Sequence, residues 1–181
     1  MGGARLPQQR RLLEGGALLA RAKLKPPSNP RRDRDLIWLD RLKGEGRSSI
    51  REPLPPAELY QAIEEFNSAD FFRCHETLEA LWLKEDYPLR LFYQGILKVA
   101  VGFLHLQRRN KRGAVAKLRE GLDTLEPFGP QFMGVEVGDL RSEARTWLEK
   151  LKDTRGLVPA ESLPRINLSK SFTETATDAE T

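Results

Sequence analysis

From Pro55 onward, apolar residues recur three and four positions apart, and no segment alternates with the period of two that a half-buried strand needs. Leu59, Ala62, Ile63 and Phe66 make the first such face, opened by Pro55-Pro56, because proline suits the first turn of a helix. Asn67-Ser68-Ala69-Asp70 interrupts it and offers Ser68 or Asp70 as the cap of a second helix reaching about Glu85. Pro88 restarts the chain. The next stretch, from Leu89 to about Arg109, is apolar in nearly every direction through Phe92, Ile96, Leu97, Val99, Ala100, Phe103 and Leu104, the mark of a central helix packed on most sides. Asn110-Lys111-Arg112-Gly113 reads as a corner before a helix carrying Ala114, Leu118, Gly121, Leu122 and Leu125. Beyond Pro127-Phe128-Gly129-Pro130 and an irregular loop, Asp139 is expected to cap a last amphipathic helix through Leu140, Ala144, Trp147, Leu148 and Leu151. The class is all-α: one compact bundle of about five helices around residues 89–109.

The flanks differ in character. Residues 1–53 hold thirteen Lys and Arg against six Asp and Glu, whereas the remainder is slightly acidic, so the net charge of +4 belongs to the extension. That extension allows a short helix over Leu12 to Lys25, then Pro26-Pro27, then Leu36-Ile37-Trp38-Leu39, an apolar patch suited to docking on the core. Lys43 to Pro56 reads as a linker. The expected organisation is a basic, partly disordered extension over 1–53, a helical core over 54–153, and a polar, disordered tail over 154–181. Arginines and lysines of the extension supply counter-charge for phosphates or an acidic partner, but no nucleic-acid motif accompanies them. Arg90, Gln94, Lys98 and His105 break the most apolar stretch, so no membrane span is expected. A single cysteine, Cys74, excludes an internal disulfide, and with no secretory or transit signature the expected compartment is the cytoplasm.

The candidate chemistry lies on the second core helix. Wound at about 100° per residue, it places Phe71, His75, Leu78 and Trp82 on one stripe, with Glu79 one turn from His75 at its shoulder. An imidazole and a carboxylate directed at a core must satisfy each other, a third polar group or a metal ion. Side chains four apart on a helix, with Cβ atoms about 5–6 Å apart, can ligate one divalent cation. The candidate third ligand is His105, which projects within about 20° of Gln94 on the central helix and near Lys98, so that these three form a polar seam. The competing reading is a closed structural network, with Gln94 or Lys98 sealing the pair, Lys98 reaching Glu79, and the Trp82 indole donating to Glu79. His75 to Glu79 also looks like a zinc-protease pentad with its last histidine replaced, in which Glu76 is the base; one imidazole is then missing. Cys74 and His75 point about 100° apart and make no dyad.

Phe66, Phe72, His75-Glu76, Glu79 and Trp82, followed by Gln94-Gly95-Ile96, His105, Asn110 and Gly113-Ala114, resemble a family of small bacterial and archaeal proteins, domain of unknown function 309. The likeness covers about residues 55–153 and rests on a histidine, a glutamate four later and an aromatic three after that. It implies an all-α single-core domain and a metal-binding role without an established reaction. Two functional readings follow. One is a metal-binding helical domain, a candidate metal-dependent hydrolase, with His75, Glu79 and His105 as ligands and Glu76, Trp82, Gln94 and Lys98 lining the site. The other is a non-enzymatic interaction or scaffold domain, with a structural His/Glu pair and a basic arm that engages an acidic partner.

Overall fold

The computed structural model describes residues 30–45, 50–153 and 163–169. Six α-helices follow in order: α1 (Pro30–Glu45), α2 (Ala57–Asn67), α3 (Phe71–Lys84), α4 (Leu89–Gln107), α5 (Lys111–Leu125) and, after a short 3-10 turn over Glu126–Phe128, α6 (Val137–Asp153). Among the described residues there are only isolated β-bridges and no strand. The all-α bundle expected from the pattern is the fold.

Local chemistry sets the boundaries. Asp70, not Ser68, caps α3, its Oδ1 accepting the Arg73 N–H at 3.2 Å. Asn110 caps α5 through the Gly113 N–H at 2.9 Å. Helix α6 begins at Val137, so Asp139 lies inside its first turn, where a carboxylate favours the positive end of the helix dipole. Ala69 closes the α2–α3 turn in the left-handed region, at φ 62°.

Helix α4 is the axis of the bundle: Leu91 to Ile96, Val99, Ala100, Gly102 and Phe103 are all buried. It is the one described helix long and apolar enough to cross a bilayer, but most of it is buried within the protein. Glycines let α4 and α5 approach closely; a Cβ at Gly121 would lie 2.7 Å from Val99 Cγ2. Phe66, Phe71, Phe103 and Trp147 interlock edge to face or tilted and tie α2, α3, α4 and α6 together. A second aromatic cluster, Phe92, Phe128 and Phe132, closes the other end.

Both flanks contribute more than their composition foretold. Residues 30–45 are helix, and α1 docks through Trp38, Leu39 and the buried Leu42, while Leu36 and Ile37 of the expected patch face solvent. Ile50, inside the expected linker, is also buried. In the tail, residues 163–169 form an extended strap. The Asn67 side chain donates to the Ile166 carbonyl at 3.0 Å and accepts its N–H at 2.7 Å, and Ile166 is buried. Glu136 N–H donates to Asn167 O at 2.9 Å and Ser169 N–H to Gly134 O at 2.8 Å. The strap thereby bridges α2 and the loop before α6. The helix expected over Leu12 to Lys25 lies outside the described residues, as do the charged positions preceding Pro30.

Candidate functional site

Helix α3 buries one narrow face. Phe71, Cys74 and Leu78 are fully inaccessible, and their spacing of three and four sets the centre of the stripe. His75, Glu79 and Trp82 lie on its shoulder and are half-buried, and Glu76 is exposed. The expectation that the imidazole and carboxylate enter the core is therefore corrected: they stand at its rim. The cause is Cys74, which takes the inward position in the turn that His75 shares. Burial pushes the Cys74 thiol far above its ordinary range, with the carboxylates of Glu65 and Asp70 adding to the effect.

The shoulder holds polar groups without internal partners. His75 and Glu79 make no hydrogen bond or ion pair among the described residues. The Trp82 indole N–H is shielded from solvent yet has no acceptor, so the expected donation to Glu79 is absent. A residue the sequence reading passed over completes the surface: the Arg90 guanidinium lies 4.4 Å from the Trp82 ring centroid. Its planar cation on the indole face fits a cation–π contact, worth about 1 kcal/mol at a half-exposed site. Arg90 also donates to the Glu85 carbonyl at 3.4 Å, which fixes it across the α3–α4 corner. A cation at the second position of a helix that follows an aromatic-rich one was the available signal.

The polar seam on α4 exists, but it faces other helices. Lys98 Nζ donates to Gln94 Oε1 at 3.2 Å and to Thr124 Oγ1 of α5 at 3.1 Å. Gln94 Nε2 donates to Asp35 Oδ2 of α1 at 2.9 Å. Neither seals the His75/Glu79 pair; Gln94 turns to Asp35 and Lys98 to Thr124 instead. His105 lies at the α4–α5 corner, its Nδ1 accepting from Asn110 Nδ2 at 3.2 Å. A Cβ on Gly113 would be 2.9 Å from its ring, so the first turn of α5 packs directly on this imidazole.

Among the described residues no group of three or more His, Cys, Asp and Glu side chains is placed to hold a metal ion. A resident catalytic zinc takes about three protein ligands and a structural one about four. His75 and Glu79 offer two, so the donor set falls short of the centre the resemblance implies. A cleft of about 310 Å³ lies between α2 and the strap, lined by Tyr60, Ile63, Asn67 and Ile166 among others; none of the sequence-predicted site residues reaches it.

Residues 59–116 match the family model described as domain of unknown function (DUF309), the family that the α3 and α4 residues resemble. The chain is also similar to two bacterial proteins. It is 32% identical over 102 residues to the uncharacterized protein YpuF of Bacillus subtilis (strain 168), covering 54% of this chain and 58% of that protein. It is 24% identical over 98 residues to an uncharacterized protein of Aquifex aeolicus (strain VF5), covering 54% of this chain and 28% of that protein. The chain thus spans less than two thirds of the length of either relative.

Proposed function

We propose that this helical domain of the uncharacterised family is a binding module whose working surface is the outer shoulder of α3. His75, Glu79 and Trp82 are the groups that meet its ligand. The observation that carries the reading is the Trp82 indole N–H, buried without an acceptor beside two ionisable side chains that are also unpartnered. A closed structural network would satisfy these groups internally, because an unsatisfied buried donor costs about 1–3 kcal/mol.

The chemistry of the shoulder describes what it takes. Trp82 needs an acceptor, Glu79 accepts, and His75 can do either. A peptide amide offers both an acceptor and a donor. Phe72 and Leu83 stand on the same side of α3, 48% and 54% exposed, and lie within about 40° of Glu79 in projection. Two apolar ends around a polar middle suit a segment of a partner protein. A divalent cation added to His75 and Glu79 would take the rest of its shell from water or from that partner.

The test separates a working surface from a structural pair. His75→Ala and Glu79→Ala should each leave the thermal midpoint within about 2 °C of the parent, since neither side chain makes an internal bond. A fall beyond about 4 °C in either variant would return the pair to a structural role. Elemental analysis of untagged protein supplies the second arm. Near one equivalent of zinc or manganese per chain, lost in His75→Ala, would replace the binding-module reading with a resident metal site.

A further inference from the structure

A second site lies where α4 meets α1 and α5, built as a receptor for a carboxylate. Its parts are ordered from the inside outward. Thr124 Oγ1 donates to the Glu120 carbonyl at 2.7 Å, which leaves the hydroxyl oxygen to accept from Lys98 Nζ at 3.1 Å. Lys98 also donates to Gln94 Oε1 at 3.2 Å. An ammonium has donors only, so it selects the amide oxygen and turns the Gln94 NH2 away from itself. Gln94 is 8% exposed, and Lys98 on its own helix fixes which end of the amide faces inward.

The outward-facing NH2 donates to Asp35 Oδ2 at 2.9 Å, and the Tyr87 hydroxyl donates to Asp35 Oδ1. Both oxygens of one carboxylate are thus held, with the Lys98 charge behind the amide. Burial, with Asp35 beside it, pushes the Tyr87 phenol up to about 12, so it stays a donor at neutral pH. Tyr87, Gln94 and Lys98 all fall inside the matched segment 59–116, whereas Asp35 comes from α1, outside it.

Helix α1 is held to the core along one face, where Leu39 is also packed. Asp35, Trp38 and Leu42 stand at i, i+3 and i+7: the acid in its donors, the Trp38 ring parallel to Tyr87 at 5.7 Å, and Leu42 2% exposed. Leu42 is the only fully buried side chain of α1 among those described, and Leu36 and Ile37 are 52% and 65% exposed. The Lys43–Glu126 ion pair is exposed at both ends and holds little.

We infer that this groove is a receptor for a helix that presents an Asp-x-x-Trp-x-x-x-Leu face, and that α1 occupies it as a ligand in cis, released locally while α2 to α6 stay folded. The partner it fits is a helix of that chemistry, read as helix-in-groove recognition with a charged anchor.

Hydrogen exchange on the full chain provides the first arm. Amides of α1 should exchange at least about tenfold faster than those of α4, as local opening requires. Equal protection of both would make α1 an integral wall and overturn the inference. The second arm uses the full chain carrying Asp35→Ala and Leu42→Asp, which frees the groove. A synthetic peptide of residues 30–45 should bind it and shift the Gln94 side-chain amide resonances. The same peptide with Asp35→Ala should bind about tenfold more weakly, the value of one charge-assisted contact. A folded double variant that ignores the peptide sinks the proposal, and so does one in which acetate displaces the peptide at equal concentration. Should the double variant not fold, Asp35→Asn replaces it: exchange of α1 should rise with α4 unchanged, and a parallel rise in both counts against release.

Discussion

The close approach of α4 and α5 at Gly121 is where one methyl group has a calculable effect. An alanine Cβ at Gly121 would lie 2.7 Å from Val99 Cγ2, 3.1 Å from the Gly95 carbonyl oxygen and 3.1 Å from the Val99 nitrogen. The first atom belongs to a stiff β-branched side chain, and the other two are backbone of α4, so relief requires the helices to separate. Intrinsic propensity pulls the other way, because alanine is favoured over glycine inside a helix by about 1 kcal/mol. Overpacking a filled core costs about 1–3 kcal/mol, and backbone contacts place this site in the upper part of that range. The net expectation for Gly121→Ala is a loss of about 1–2 kcal/mol, or roughly 3–8 °C in Tm for an ordered body of this size. Gly44 in α1 is the control. An added Cβ meets nothing within 4 Å there, so Gly44→Ala should leave stability unchanged or raise it by up to about 1 kcal/mol. Urea unfolding followed by far-UV circular dichroism and calorimetry measures both. A Gly121→Ala protein that melts at or above the parent temperature would refute the reasoning, since propensity would then outweigh the contact.

Asn67→Ala removes both hydrogen bonds to the Ile166 backbone and should cost about 2–3 kcal/mol, with faster exchange of the Ile166 amide than of α2. Cys74 is buried with its thiol pushed far up, so a thiol reagent should label it only after denaturant unfolds the chain; rapid labelling of the native protein would contradict the packing. Burial raises the Tyr93 phenol to about 12, as it does Tyr87. The folded state therefore favours the neutral phenols: their contribution is complete below about pH 10 and is lost as pH rises from there to about 12. The urea midpoint should fall between pH 9 and pH 11 and fall less in Tyr93→Phe; a rise would reverse the sign of the argument.

The core helices were legible because their signals are local. Asp70 and Asn110 act within three residues of themselves, and the apolar spacing of α2, α4 and α5 reports burial directly. What escaped was decided at long range. Asp35 meets Gln94 across 59 positions, so the seam on α4 was visible while the acid that closes it was not. The strap over 163–169 alternates buried Pro164 and Ile166 with exposed Arg165 and Asn167, but over too few residues to stand out in the sequence. Helix α1 is rich in charge, and Gly44 within it suggested a linker. For His75 and Glu79, periodicity located the stripe on α3 but not its centre. A rotation of a few tens of degrees, fixed by Cys74 fitting against the core, moved both from inside to the rim.

The glycine contact between α4 and α5 also shows that the segment matched by the family model is not a self-sufficient object. Residue 116 falls within α5, ahead of Leu118, Gly121 and Leu125, the residues that seat against Gly102, Val99 and Gly95. Excised at that boundary, the shared segment would leave the most apolar helix of the molecule wet along one flank and prone to self-association. What is inherited as a recognisable block and what can stand alone in water thus have different borders, and a fusion or transplant of this domain should carry the chain through the strap to Ser169.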